Sequence, residues 1–274
     1  MMNRVIKRVC SVYFSPTDTT KKVVSTISET LGNKLLLPVE VFDFTLPKGR
    51  EKPLKFNEND IVVIGTPVYA GRVPNVLLKF LDTMEGEGAI SIPVVVFGNR
   101  NYDEALFELC EICNKSGMKN ISAGGFVGEH AFSYILGKGR PDKDDVDKIK
   151  KFALLISEKI EKTGDNFDNI VVDGGPVKKY YKPQDEFGNF IDIRKVKPKV
   201  NENCNNCKKC VYVCPMGSIS IENVREYTGI CIKCGACIKK CPKNARYYDD
   251  EGYLYHKMDL EKSFERRAEI KIFV

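Results

Sequence analysis

Eight of the eleven cysteines in this 274-residue chain fall between residues 204 and 241, in two runs of identical spacing. The first run holds Cys204, Cys207, Cys210 and Cys214, followed by Pro215; the second holds Cys231, Cys234, Cys237 and Cys241, followed by Pro242. The runs are offset by 27 residues, an internal duplication. Three thiolates in close succession let one turning loop wrap three irons of a cubane. The fourth iron is left to a distant cysteine, and in runs of this spacing the fourth cysteine ligates the other cluster. The spacing therefore predicts two [4Fe–4S] clusters, one on Cys204, Cys207, Cys210 and Cys241, the other on Cys231, Cys234, Cys237 and Cys214. Structural zinc uses two pairs of ligands and has no need of a third cysteine in tight succession. Disulfides fit no better, because the N-terminal stretch MMNRVIKRVCSVYF is broken by charge and reads as a strand, not a secretory signal.

A second group of residues suited to chemistry lies in loops of the first 165 residues, and their positions depend on the elements around them. Apolar runs at 5–14, 36–44, 60–68, 92–98 and 121–128 have the character of buried parallel strands. Helical spacing separates them. Residues 19–32 place Val23, Val24, Ile27 and Leu31 on one face, and 73–84 start near Pro74 and place Val76, Leu77, Phe80 and Leu81 inward. Two more helices are predicted over 102–117 and 142–162. Strict alternation implies an α/β fold, a doubly wound five-stranded parallel sheet over residues 1–165. A Gly-, Pro- and Tyr-rich connector follows over 166–199, then a small α+β unit over 200–250 carrying the cysteines. The tail, 251–274, reads as a short charged helix ending in the apolar IKIFV.

Ligands of such sheets sit at the carboxyl ends of the strands. Three loops should meet there. After the first strand come Ser15, Pro16, Thr17, Asp18, Thr19 and Thr20, offering hydroxyls and the free N–H groups of a helix start. After the third come Thr66, Pro67, Val68, Tyr69, Ala70 and Gly71; after the fourth, Gly98, Asn99, Tyr102 and Asp103. Two tyrosines beside a phosphate loop suit a flat, aromatic, phosphorylated cofactor. Ordinary strand-to-helix loops also collect hydroxyls as helix caps, and it is the register of all three loops that favours a cofactor.

The stretches YFSPTDTTKKV, GTPVYAGRVPN, GNRNYDEAL and GFVGEHAFS resemble flavodoxins, and the cysteine runs resemble the bacterial two-cluster ferredoxins over roughly 199–245. Together they resemble flavodoxin–ferredoxin fusion proteins over nearly the whole chain. The resemblance implies a flavodoxin-like first domain holding one FMN, its phosphate on residues 15–20 and its ring near Tyr69 and Tyr102. It also implies low-potential one-electron transfer by a ferredoxin-like second domain. Flavodoxins often stack tryptophan on the ring, and this chain has none. Asp18 departs from a pattern that commonly has Gly. Asp tolerates the left-handed conformation, and it is expected to point outward as a helix cap, offset by Lys21 and Lys22.

Other residues are expected to be structural. His130 pairs with no base or nucleophile in the sequence and reads as a surface or capping residue. Cys110 and Cys113 lie inside a helix, and Cys10 in a buried strand, so all three are expected in the core. Tyr227, Tyr247 and Tyr248 flank the cysteine loops and are expected to shield them from water. No G-x-G-x-x-G follows a strand, which argues against a nicotinamide domain. A diffuse excess of 43 basic over 37 acidic residues argues against nucleic acid. No apolar run reaches the roughly 18–20 residues of a membrane span, so a cytoplasmic location is expected.

The functional expectation is an electron carrier linking clusters, FMN and redox partner proteins. A carrier needs an exposed flavin edge. The competing reading is an FMN-dependent reductase fed by its own clusters, with a roofed pocket built perhaps from residues 128–140 and with Arg140 or Lys138 gripping an anion. A third reading is a ferredoxin with a flavin-free docking domain.

Overall fold

The computed structural model describes residues 5–164 and 167–274. The expected boundary between first domain and connector, at 165 and 166, lies outside the described residues. Ahead of it run β1 (Arg8–Tyr13), α1 (Thr19–Leu35), β2 (Val39–Asp43), β3 (Asp60–Pro67), α2 (Asn75–Leu81), β4 (Ile90–Phe97) and α3 (Ala105–Lys115). Then come β5 (Lys119–Asn120), β6 (Ala123–Val127) and α4 (Lys143–Thr163). The sheet order is β2-β1-β3-β4-β6, parallel throughout, with β5 also pairing β4. This is the doubly wound arrangement, with the predicted fifth strand divided into β5 and β6.

Alternation along the strands builds two cores. Val9, Ile61, Val63 and Val94 face α1 and α4 through Val23, Val24, Ile27, Ile149 and Phe152. Val12, Val62, Ile64 and Phe97 face α2 and α3 through Leu77, Leu81, Leu106 and Leu109. Cys10, Cys110 and Cys113 lie in that second core, as expected. Burial pushes the thiols of Cys10 and Cys110 up to about 12, so they stay protonated and inert.

The cysteine unit contains β7 (Lys199–Val200), α5 (Lys209–Tyr212), α6 (Ala236–Lys239) and β8 (Arg246–Tyr247). β7 and β8 pair antiparallel and tie its two ends together. The tail differs from expectation. Its helix, α7 (Glu251–Ser263), is followed by β9 (Lys271–Phe273), which pairs antiparallel with β6. The sheet therefore ends in an antiparallel strand, not in a fifth parallel one. The physical reason is that β6 would otherwise present open N–H and C=O groups at the sheet edge, and the apolar IKIFV satisfies them.

Buried polar contacts hold the tail in place. The Arg140 guanidinium donates to Ala268 O at 2.6 Å and to both carboxylate oxygens of Asp145 at 2.6 and 2.8 Å. Arg140 is 6% exposed and Asp145 fully buried. Arg140 is thus a structural residue and grips no ligand. Asp145 also accepts from Asp142 N at 3.0 Å, completing a capping box at the start of α4. Replacing Asp145 with Ala strands a buried guanidinium and is expected to cost about 3–5 kcal/mol, read as a lower urea midpoint. A change below about 1 kcal/mol, the size of an ordinary surface substitution, would contradict that role.

Candidate functional site

The sequence duplication is reproduced in the backbone of the cysteine unit. Lys208 and Gly235, 27 residues apart, both take left-handed φ, of 61° and 76°, and start α5 and α6. Ser218 N donates to Cys214 Sγ at 3.4 Å, and its counterpart Ala245 N donates to Cys241 Sγ at 3.3 Å. Cys214 lines one small cavity with Cys231, Cys234 and Cys237, closed by Tyr227, Tyr248, Ile219 and Ile232. That set is the crossed one, and it fits a cubane whose ligands stand on separate irons. Burial pushes Cys237 up to about 12 against the charge of Arg246, and burial likewise raises Cys234. Thiolates buried this way need a metal's positive charge to be stable. Cys210 lies within electrostatic reach of Cys237 and Arg246, so the two cysteine loops adjoin. Cys207 is exposed.

Tyr227 and Tyr248 close this cavity, and Tyr248 stacks on Tyr253 with centroids 3.9 Å apart. Tyr247, by contrast, is 39% exposed on β8.

A larger cavity of about 1010 Å³ opens at the carboxyl ends of β1, β3 and β4. Pro16, Thr17, Thr19 and Thr20 line it at the start of α1, together with Pro67, Val68, Tyr69, Ala70 and Gly71 after β3 and Gly98, Arg100 and Asn101 after β4. The turn at Ala70 and Gly71 has φ of 51° and 80°. A Cβ on Gly71 would lie 2.4 Å from Asp103 Oδ2, so this tight turn needs glycine. The three loops therefore converge, and the threonines and helix start suit a phosphate.

Six expected site residues do not line this cavity. Ser15 pins the loop, its N–H donating to Thr45 Oγ1 at 2.8 Å and its Oγ accepting from Lys21 N at 2.9 Å. Thr66 is fully buried, and its hydroxyl is one of four buried side-chain polar atoms without a partner among the described residues. Asn99 Nδ2 donates to Phe264 O and Arg266 O, both at 2.7 Å, and so serves the tail. Tyr102 is a correction to the ring-flanking expectation. It packs into the core, 5.6 Å from the Phe97 ring and against Gly125, because the left-handed Asn99 turns the loop back over the sheet. Asp103 pairs with Arg100. Asp18 points outward in the left-handed conformation (φ 68°) but makes no capping bond. Its partner is Lys240 of the cysteine unit at 2.9 Å, while Lys22 Nζ donates to Pro141 O at 2.6 Å.

The cavity's remaining walls come from elements that sequence reasoning did not place there. Connector residues 177–183 cover it, with Tyr181 N donating to Ala70 O at 2.9 Å and Arg72 stacked 4.5 Å from the Tyr180 ring. The second cysteine loop supplies Cys231, Ile232, Lys233 and Cys234, and α7 supplies His256 and Leu260. The aromatic run in KKYYKPQ was the available signal, since exposed linkers rarely carry adjacent tyrosines without packing them. Lys138 is not among the lining residues. His130 is, which corrects its reading as a surface residue; its Nδ1 accepts from Phe132 N at 3.1 Å.

Residues 11–97 match the family described as flavodoxin domain, and residues 203–247 match the 4Fe-4S dicluster domain. An uncharacterized ferredoxin of Methanocaldococcus jannaschii is 43% identical over 60 residues, 20% of this chain and 41% of that protein. An uncharacterized protein of the same organism is 35% identical over 71 residues, 24% of this chain and 28% of that one. The chain thus spans less than half the length of either relative. Among solved structures, a flavodoxin from the domain Archaea is 17% identical with a TM-score of 0.39, covering 57% of this chain and 99% of that one. The flavodoxin of Streptococcus pneumoniae TIGR4 is 19% identical with a TM-score of 0.39, covering 55% and 98%.

Burial lowers His130 from its ordinary 6.5 to about 3. The unfolded chain takes up a proton as pH falls through 6.5, while the folded chain resists it down to about 3. The contribution to stability is therefore full above the unfolded value and lost as pH falls towards the folded one. His130→Gln should flatten the decline of the urea midpoint between about pH 7 and 5. An unchanged slope would contradict burial of the neutral imidazole.

Proposed function

We propose that this chain, in which a flavodoxin domain precedes a 4Fe–4S dicluster domain, passes electrons between two [4Fe–4S] clusters and one FMN. The supporting observation is a single cavity walled by the loop after β1 on one side and by Cys231 and Cys234 on another. Clusters exchange single electrons, whereas a flavin stores one or two, and the protein supplies orientation and potential. Thr17, Thr19 and Thr20 would hold the FMN phosphate, and Tyr69, Ala70 and the 98–101 loop would border its ring. Cys231, Cys234, Cys237 and Cys214 would carry the cluster nearer the flavin; Cys204, Cys207, Cys210 and Cys241 would carry the other. In this reading residues 1–165 form the flavin domain, 166–199 the connector, 200–250 the cluster domain and 251–274 the tail. Exposed Cys207 marks the outer cluster as the entry point for a redox partner protein.

The cover over the cavity bears on what the flavin reacts with. An open carrier would offer its flavin edge to a partner protein. Connector residues 177–183 and α7 lie over this cavity instead. That favours a small molecule reacting under the roof, with protein partners kept at the outer cluster.

Anaerobic purification followed by iron, sulfide and flavin analysis tests the proposal, with about eight irons and one FMN expected per chain. Zinc, or half that iron, would contradict the two-cluster reading. Full iron without flavin would leave a ferredoxin with a docking domain. The Asp18–Lys240 pair gives a second test, because Lys240 offsets a carboxylate beside the phosphate loop. Lys240→Gln is expected to weaken FMN binding about two- to fivefold, the scale of an exposed ion pair. Asp18→Asn should tighten it, and the double variant should match Asp18→Asn. Equal FMN dissociation constants in wild type and Lys240→Gln would remove that coupling.

A further inference from the structure

Resting on the FMN reading above, we propose that the part of the cavity beneath α7 is a second binding site, for a small planar carboxylate. The chain has two histidines, and both line this cavity. His256 is 5% exposed, and its Nδ1 has no hydrogen-bond partner, one of four such buried side-chain atoms among the described residues. Buried polar atoms are ordinarily paired, so an unpaired imidazole nitrogen in a cavity wall is a place for a ligand atom. Burial lowers His256, which keeps the ring neutral and able to offer one donor and one acceptor.

The surroundings define the ligand's shape. The Tyr181 ring lies 6.0 Å from that of His256, tilted by 31°, and Phe132 meets it edge-on at 6.3 Å. Aromatic walls of this kind favour a flat, conjugated guest. The charge of the lining defines the rest. It includes seven Lys and Arg side chains but one acid, Glu129, which is bound by Lys239. The Arg100 guanidinium lies 5.1 Å over the Tyr181 ring, on the same wall. Among the described residues, Lys179 and Lys182 at the cover have no acidic partner. A field of this sign draws anions into a cleft.

His256 belongs to α7 and Tyr181 to the connector, so neither comes from the three loops that would seat FMN. At about 1010 Å³ the cavity is at the upper end of the range for drug-sized ligands, leaving room for a second molecule. A ligand held by His256 would share the cover that keeps protein partners out.

Titration of the FMN-loaded chain with trans-cinnamate tests the site, read by the flavin visible spectrum and by the imidazole NMR signals of His256. A saturable change is expected in both, with neutral cinnamamide binding at least about tenfold more weakly for want of the charge. His256→Gln and, on the more exposed wall, Tyr181→Ala should each weaken cinnamate about tenfold while FMN affinity stays unchanged. Absence of a saturable change with cinnamate, or equal affinity in both variants, would overturn the site. Loss of FMN affinity in His256→Gln would also overturn it, by placing the imidazole in the FMN seat. Flavin content is measured first: a chain that takes up no FMN contradicts the function proposed above, whereas one that holds FMN and ignores cinnamate contradicts the second site alone.

Discussion

Close approach of the second cysteine loop to the strand ends is the constraint on which the other arrangements rest. Gly235 has φ of 76°, and a Cβ there would lie 2.7 Å from Ala131 O. The equivalent position in the first repeat is Lys208, which faces no such backbone and keeps a side chain. The duplicated unit thus departs from its own symmetry where it meets the sheet domain, and only glycine permits the contact. Lys239, donating to Ser133 O at 2.7 Å and paired with Glu129, and Lys240, paired with Asp18, hold the same seam. Because the loop seats there, Cys231 and Cys234 become a wall of the large cavity and not a feature of a separate module.

The two ends of the chain's second half reinforce that seating. The connector crosses the loop after β3 through Tyr180 and Tyr181, and the tail returns through α7 to add β9 to the sheet. Asn99 and Arg140, both on loops at the strand ends, hold the tail by its carbonyls. A site expected from three loops is in fact enclosed by five segments. The added enclosure excludes water and strengthens every charge interaction within it.

What could be read in the sequence follows from how local each signal is. The cysteine runs encode their pairing in spacing alone, and the alternation of Val62, Val63 and Ile64 against helical periodicity suffices for the sheet. Thr17, Thr19 and Thr20 were placed by their position after β1. Tyr102 was not, because a single left-handed residue, Asn99, decides whether a loop side chain enters the cavity or the core. Asp18 was correctly turned outward, yet its partner lies 222 residues away and no local pattern names it. The roles of Tyr181 and His256 depend on tertiary return of the connector and tail. Such contacts carry no periodicity to detect.

The most direct test is an anaerobic crystal structure of the loaded chain with anomalous scattering measured at the iron edge. The expected map has two iron clusters, the inner one ringed by Cys214, Cys231, Cys234 and Cys237, with FMN in the cavity that Cys231 and Cys234 line. A cluster held by Cys204, Cys207, Cys210 and Cys214 in sequence, or FMN bound away from that wall, would contradict it.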